Sequence, residues 1–268
     1  MPVYIVTGKL GSGKTLSMVG RMKEYLDAGK PVATNIDIDL RKLCRKRPKA
    51  SVTRLPDKPS ADDLAALGQV HSTAQEEKNG MLVLDECGTW LNARTFADKG
   101  RQGVIDWMLH SRKFGWDVFL IVQNSALLDK QIRDALAEYT VTCRRMDRMK
   151  IPFVGRLVSL LTAGLVKGQM PQVHLALVRY GSGVGSMHAD TWMYRGVHLY
   201  AAYQSVQIIS GDAGTEPRGA FCPVWYATVA EQAKWPKPLK PKHPEIARLG
   251  SLPKDRQWQW ARELAGAL

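Results

Sequence analysis

The sequence predicts an α/β fold in which a parallel sheet carries helices on both faces. Strand-like and helix-like stretches alternate over residues 1–150, which is the pattern of successive β-α-β units. An apolar run at 3–6 leads directly into a glycine-rich segment at 8–15, and a helical pattern follows at once. The chain has 268 residues, enough for one well-buried α/β domain and a tail.

Each element of the predicted core has its own signal. Helical spacing of apolar residues predicts the first helix over about 14–28, and Gly29-Lys30-Pro31 ends it. Ser60 followed three residues later by Asp63 is close to a capping box and predicts another helix start. Uninterrupted apolar runs predict buried strands. The predicted strands are 3–6, 32–36, 51–55, 81–84, 118–122 and 140–143, and the further predicted helices are 101–113 and 129–139.

Beyond residue 150 the periodicity changes to that of strands. Runs at 173–178 and 191–194 predict a small β-rich extension over 151–233, which resembles a meander added to the α/β core. A proline- and lysine-rich linker with a basic tail follows over 234–268. The apolar stretch at 157–166 is too short to span a bilayer, and it is either ordinary core or an element at a membrane surface.

The glycine-rich segment has the sequence of a phosphate-binding loop. It reads Gly-Lys-Leu-Gly-Ser-Gly-Lys-Thr and satisfies the pattern G-x-x-x-x-G-K-[ST]. Its glycines let backbone N–H groups turn towards an anion, and the helix N-terminus adds its positive dipole end. Lys14 is predicted to reach the β- and γ-phosphates, and Thr15 to ligate Mg²⁺. We therefore expect ATP with Mg²⁺ as the ligand, bound by Gly8, Gly11, Ser12, Gly13, Lys14 and Thr15.

An acidic pair narrows the class of nucleotide-binding protein. Asp85 ends a buried strand, where a carboxylate is needed to hold the Mg²⁺, and Glu86 is placed to polarise the attacking water. Gln123 ends the next buried strand and is predicted to lie beside the γ-phosphate. Together with the extra strand at 32–36, these residues favour the RecA/FtsK-like (ASCE) branch of P-loop NTPases. The region 1–150 is thus a predicted P-loop ATPase core that converts ATP cleavage into movement.

Such enzymes usually act as rings in which an arginine of one subunit completes the site of its neighbour. Arg112 is the first choice here, because it ends the helix between the two catalytic strands. We expect a homo-oligomeric ring, with a hexamer favoured. The other candidate arginines are Arg101, Arg144 and Arg145.

The charge of the chain indicates a polyanionic partner. The formal net charge is +13, and both nucleic acid and an anionic membrane surface fit it. In the basic tail, cations alternate with Trp258 and Trp260, which suits single-stranded nucleic acid and a bilayer surface almost equally. The four cysteines form no C-x-x-C pair, so reduced thiols in a cytosolic compartment are expected and a zinc site is not. No signal peptide and no transmembrane helix are expected either.

Several of these segments resemble the zonula occludens toxin (Zot) family, which includes the gene-I-type assembly ATPases of filamentous bacteriophages. The resemblance lies in the first strand and phosphate loop, in Thr34-Asn35-Ile36 and in Leu82-Val83-Leu84-Asp85-Glu86. The more specific part is His110-Ser111-Arg112-Lys113-Phe114-Gly115-Trp116-Asp117 running into Ile121-Val122-Gln123. The similarity covers roughly residues 1–150 and continues faintly to 194–196 and 203–205.

The resemblance implies an ATPase domain in the host bacterial cytoplasm, associated with the cytoplasmic face of the inner membrane. It implies a motor for virion assembly and extrusion that strips single-strand-binding protein from phage DNA and adds coat proteins to it. Family members typically carry a transmembrane helix after the ATPase domain, and the sequence shows no such helix. Two alternatives therefore stay open: a DNA-translocating or genome-packaging ATPase without an extrusion role, and a nucleotide-gated, toxin-like interaction module with negligible turnover.

Overall fold

The computed structural model describes residues 3–44, 51–71, 75–92, 99–128, 132–146, 173–181, 185–196, 198–203 and 227–228. The apolar stretch at 157–166 and the predicted linker and tail at 234–268 lie outside these described residues.

Within these ranges the chain forms strands and α-helices in alternation up to the fifth strand. The strands are β1 (Val3–Thr7), β2 (Val32–Thr34), β3 (Ser51–Arg54), β4 (Gly80–Leu84), β5 (Trp116–Ile121), β6 (Ala137–Arg145), β7 (Val173–Tyr180), β8 (Met187–Arg195) and β9 (Ala227–Thr228). The α-helices are α1 (Lys14–Asp27), α2 (Leu40–Leu43), α3 (Ala61–Ala65), α4 (Cys87–Trp90) and α5 (Lys99–Phe114).

All of these strands belong to one sheet, in the order β8-β7-β6-β1-β5-β4-β2-β3-β9. The six strands from β6 to β3 run parallel, whereas β7, β8 and β9 are antiparallel to their neighbours. The strand that separates β1 from β4 in space is β5, while β2 lies on the far side of β4. The strand at 32–34 thus comes between the phosphate loop and Asp85 along the chain but not in the sheet.

Helices cover both faces of the sheet, as predicted for this fold class. The strand β5 is buried along its whole length, because its alternate side chains enter two separate cores. Phe119 and Ile121 belong to a cluster with α1 and α2, whereas Val118 and Leu120 belong to a cluster with α3, α4 and α5. Burial on both faces explains why the central strands read as continuous apolar runs.

The helix predicted over 129–139 is wrong in its second half. Among the described residues of this range, Ile132–Leu136 form a π-helical turn, and β6 begins at Ala137. Pairing with β1 overrides the local helical pattern, since Tyr139 lies opposite Tyr4 in the register and the two rings stack with centroids 5.0 Å apart. The capped helix start is confirmed: Ser60 and Asp63 form the reciprocal capping box at α3.

The two strands predicted beyond residue 150 extend the same sheet past β6. Trp192 and Tyr194 of β8 are buried against α1. The approach is close: a Cβ at Gly20 of α1 would lie 2.5 Å from the Tyr194 ring. The division of the chain into 1–150, 151–233 and 234–268 stays a prediction, but β7 and β8 share their core with α1.

Candidate nucleotide-binding and hydrolysis site

The phosphate loop joins β1 to α1 at the carboxyl edge of the parallel sheet. Gly8, Gly11 and Gly13 all have positive φ, at 154°, 71° and 86°. Lys14 is the first residue of α1, and its Nζ donates a hydrogen bond to the Gly8 carbonyl at 3.0 Å. The ammonium group is therefore held over the loop, where the glycine conformations direct backbone groups towards an anion.

Gly13 is a position at which no other residue fits. A Cβ there would lie 2.0 Å from Nδ1 of His174, in addition to facing the cost of a positive φ. His174 belongs to β7 and is 1% exposed. Its Nδ1 lies 3.4 Å from the Ser12 carbonyl and its Nε2 lies 3.0 Å from the Tyr200 hydroxyl. The back of the phosphate loop therefore rests on a histidine from the antiparallel part of the sheet.

Thr15 and Asp85 meet at the edge of the sheet. The Thr15 hydroxyl donates to Asp85 Oδ2 at 2.8 Å, although 70 residues separate the two. Burial raises the pKa of Asp85, while the Thr15 hydroxyl, the Glu86 amide and Lys14 act to lower it. A hydroxyl beside a carboxylate at the end of a phosphate loop is the hard oxygen donor set that Mg²⁺ prefers. The residues present fit that ion.

Glu86 follows in an unusual backbone conformation. Its φ is 53°, which makes it the one non-glycine residue with positive φ among the described residues. Its N–H donates to Asp85 Oδ1 at 2.7 Å, and its carbonyl accepts from the Thr89 hydroxyl at 2.8 Å. Burial raises the pKa of Glu86, and the negative charges of Asp85 and Asp57 raise it further. A carboxylate whose pKa is raised is a stronger base, which suits it to take a proton from water.

Three of the predicted catalytic residues, Lys14, Glu86 and Gln123, line one cavity of about 460 Å³. Gln123 lies just past the end of β5, the strand next to β1, and lines this cavity. Leu10 and Leu127 flank the cavity and are exposed, at 82% and 39%. The predicted residues that line it are Gly11, Gly13, Lys14, Thr15, Asp85, Glu86 and Gln123. The structure thus brings together predicted residues from three separate stretches of the chain, and their assigned roles stay predictions.

Arg112 lies away from this cavity. It is in the last turn of α5, just before β5 begins, and therefore lies at the amino edge of the sheet. The phosphate loop lies at the opposite, carboxyl edge. Its Nη2 is 3.5 Å from Glu76, and its side chain is 71% exposed. The structure places it outside the site of its own subunit, and a role in the site of a neighbouring subunit stays a prediction. Arg144 and Arg145, at the end of β6, lie at the same edge as the loop.

Two polar residues at the site were not assigned a role from the sequence. Asn35 follows β2 at the carboxyl edge and bonds to the backbone of Asp85. The sequence does contain a signal for Asn35 as a site residue, because it follows a buried strand in the same way as Asp85 and Gln123 do. His174 had no such signal, since a single histidine inside an apolar strand looks like a core residue. Its position depends on the antiparallel pairing of β7 with β6.

The strand order, the phosphate loop and the paired acids after β4 define a P-loop NTPase fold of the RecA/FtsK-like branch, in which one strand separates the loop strand from the acidic strand. Residues 2–180 match the family described as Zonular occludens toxin (Zot). The chain belongs to this family.

The relatives include proteins of several bacteriophages. The chain is 48% identical over 227 residues to the Gene 1 protein of Salmonella phage IKe, covering 84% of this chain and 61% of that protein. It is 49% identical over 217 residues to the Gene 1 protein of Enterobacteria phage fd, covering 79% and 61%. The chain therefore spans about three fifths of the length of these relatives. In the described part of the chain, no helix is both long and apolar enough to cross a membrane.

A solved structure of a family member is also similar. The N-terminal domain of zonular occludens toxin from Neisseria meningitidis aligns over 76% of this chain and 98% of that domain, with 20% sequence identity and a TM-score of 0.41.

Proposed function

We propose that this chain hydrolyses ATP in the cavity between the phosphate loop and the acidic pair. The observation that supports this most strongly is the convergence of Lys14, Thr15, Asp85, Glu86 and Gln123 on that cavity. A binding module without turnover would need the first three residues only. The placement of Glu86 in the same cavity supplies a base for the attacking water, and its raised pKa fits that task.

The chemistry follows from the positions of these groups. The loop and Lys14 would hold the phosphates. Glu86 would take a proton from a water molecule while the oxygen of that water bonds to the γ-phosphorus. The bond from that phosphorus to the bridging oxygen then breaks, so that ADP and inorganic phosphate leave. Gln123 would contact the γ-phosphate or the water. Thr15 and Asp85 would hold Mg²⁺, which when bound neutralises charge on the phosphates.

Lys14→Ala tests this proposal. Because Lys14 is the phosphate-binding cation of the loop, its removal should reduce kcat/KM for ATP by at least about 10²-fold. Lys9→Ala is a matched control in the same loop, since Lys9 is exposed and lies outside the cavity lining. Glu86→Gln should bind ATP with near wild-type affinity and release no phosphate. A Lys14→Ala protein with the wild-type rate of hydrolysis would contradict the proposal.

We further propose that hydrolysis drives phage assembly and extrusion at the cytoplasmic face of the host inner membrane, with phage DNA, its protein complex and coat proteins as partners. Membership of the Zot family and the phage relatives support this proposal. ATPase rates measured with single-stranded DNA, double-stranded DNA and anionic vesicles would test it. Stimulation by single-stranded DNA together with vesicles is expected. Stimulation by double-stranded DNA alone would instead favour a packaging role.

We propose that the working form is a homo-oligomeric ring, with a hexamer favoured and Arg112 as the residue that completes a neighbouring site. Among the described residues that line the cavity, Lys14 is the one cation, so a second positive charge from another subunit would assist the transition state. Arg112→Ala should then retain ATP binding and lose turnover. Addition of Lys14→Ala subunits, which still carry Arg112, should restore part of the rate. If it does not, Arg112 is not the residue that acts across subunits.

A further inference from the structure

Asn35 makes an unusual set of contacts with the backbone of the acidic pair. It follows β2, its side chain is fully buried, and its Oδ1 accepts the N–H of Asp85 at 2.8 Å. Its Nδ2 donates to the Asp85 carbonyl at 3.2 Å and to the Asp57 carbonyl at 3.0 Å. An N–H can only donate and a carbonyl can only accept, so these contacts fix which end of the carboxamide faces which group.

This carboxamide extends the pairing between β2 and β4 by one step. The last backbone pair of the two strands is Thr34 with Val83, and the Asn35 side chain then takes both backbone groups of Asp85. The next residue, Glu86, has a φ of 53°. A left-handed conformation is unfavourable for a residue with a side chain, so the turn needs support from outside itself.

Asn35 is itself held by a buried frame. Arg54, which is 5% exposed, bonds through Nη2 to Asp57 at 2.9 Å and through Nε to Asp37 at 2.7 Å. These ion pairs join the loop after β3 to the loop after β2, where Asn35 lies. The Asp57 carbonyl that accepts from Asn35 therefore has little freedom to move, and neither does the carboxamide.

We infer that Asn35 is a positioning residue for hydrolysis, which acts through Asp85 and Glu86 rather than on the nucleotide. This inference rests on the proposed ATPase function. Asn35 holds the peptide that aims the Asp85 carboxylate at Thr15 and starts the turn that brings Glu86 into the cavity. The phosphate loop is built from a separate stretch of chain, so ATP binding does not depend on Asn35. Loss of a positioning residue should lower kcat and leave the Kd for nucleotide nearly unchanged, whereas loss of a merely structural residue should not lower kcat selectively.

The experiment compares Asn35→Ala with Asn79→Ala. Asn79 is a matched control because it is also buried, at 1% exposure, and lies just before the amino end of β4, the strand whose carboxyl end leads to Asp85. Its Nδ2 donates to Asp117 at 3.0 Å and its Oδ1 contacts His71 at 2.8 Å. Both variants should lose comparable stability to urea. Only Asn35→Ala should lose kcat, by about 10- to 100-fold, with the Kd of an ATP analogue nearly unchanged.

Asn35→Asp is a second variant of the same size. Its carboxylate can accept the Asp85 N–H but cannot donate to the Asp57 carbonyl, and it adds a negative charge beside Asp85. It should fold and also lose kcat. Equal kcat in Asn35→Ala, Asn35→Asp and the wild type would overturn the positioning role of Asn35 but not the proposed ATPase function. Losses of binding and rate in Asn35→Ala that match those of Asn79→Ala would have the same meaning. Absence of turnover in the wild type would overturn the proposed function, and the role of Asn35 with it.

Discussion

Replacing Arg54 by methionine should destabilise the fold by about 3–5 kcal/mol, because two buried carboxylates would lose their shared cation. Arg54 lies between Asp37, whose side chain is 15% exposed, and Asp57, whose side chain is 3% exposed. Methionine keeps most of the aliphatic stem, so the loss comes from charge rather than packing. A domain of this kind is stable by only about 5–15 kcal/mol, so the substitution would remove a large part of the total.

The size of this loss should depend on pH in a defined direction. Burial raises the pKa of Asp37, and Arg54 acts to lower it. Without Arg54, the pKa of Asp37 in the folded state rises further above its value in the unfolded chain. A carboxyl with a raised folded-state pKa destabilises the protein fully above that pKa, and the penalty shrinks as pH falls through it towards the pKa of the unfolded chain. The deficit of Arg54→Met should therefore be larger at neutral pH than at a pH close to the ordinary aspartate pKa of 3.8.

Urea denaturation followed by circular dichroism at several pH values measures both effects. Lys23→Met is the matched control, since Lys23 pairs with Asp27 on a partly exposed face of α1 and should contribute less than about 1 kcal/mol. Adding Asp57→Asn to Arg54→Met should recover part of the loss by removing one unpaired charge. A deficit below about 1 kcal/mol, or one that does not change with pH, would refute the reasoning.

Two further predictions concern the site. The acid limb of the ATPase pH profile should lie above the ordinary glutamate pKa of 4.5, because burial and the charges of Asp85 and Asp57 raise the pKa of Glu86. Asp57→Asn should shift this limb to lower pH. Steady-state rates in which the limb does not move would count against Glu86 as the catalytic base. Gly13→Ala should abolish ATP binding in a titration with a fluorescent analogue, because its Cβ would collide with the His174 ring. Gly29→Ala, with φ 76° and open space around it, should bind the analogue normally and lose only about 1–2 kcal/mol of stability. Equal effects of the two substitutions would disprove the steric argument.

The centre of the parallel core was predictable because β4 and β5 are buried on both faces. The apolar runs at 81–84 and 118–122 correspond to β4 and β5, and the acids and the glutamine that follow them meet at the carboxyl edge because parallel strands end at the same edge. The residues of the site could therefore be predicted from the ends of β1, β4 and β5 and from the phosphate loop, without knowledge of the sheet order.

Features that depend on contacts between distant segments could not be predicted in this way. The start of β6 at Ala137 follows from its pairing with β1, while the local sequence favours a helix. His174 is 162 residues from Ser12 in the sequence, and its contact with the loop depends on the antiparallel pairing of β7 with β6. The left-handed turn at Glu86 has no marker in the sequence, since positive φ usually indicates glycine or asparagine.

The histidine behind the phosphate loop sets a lower limit on the length of any active fragment. A fragment that ended at residue 150 would keep every residue proposed to touch ATP, but it would lack His174 and the Tyr200 hydroxyl that bonds to it. It would also turn β6 into an exposed edge strand and uncover the apolar face of α1 that Trp192 and Tyr194 bury. A minimal ATPase fragment should therefore extend at least to Tyr203, which lines the cavity and is the last of the described residues to do so.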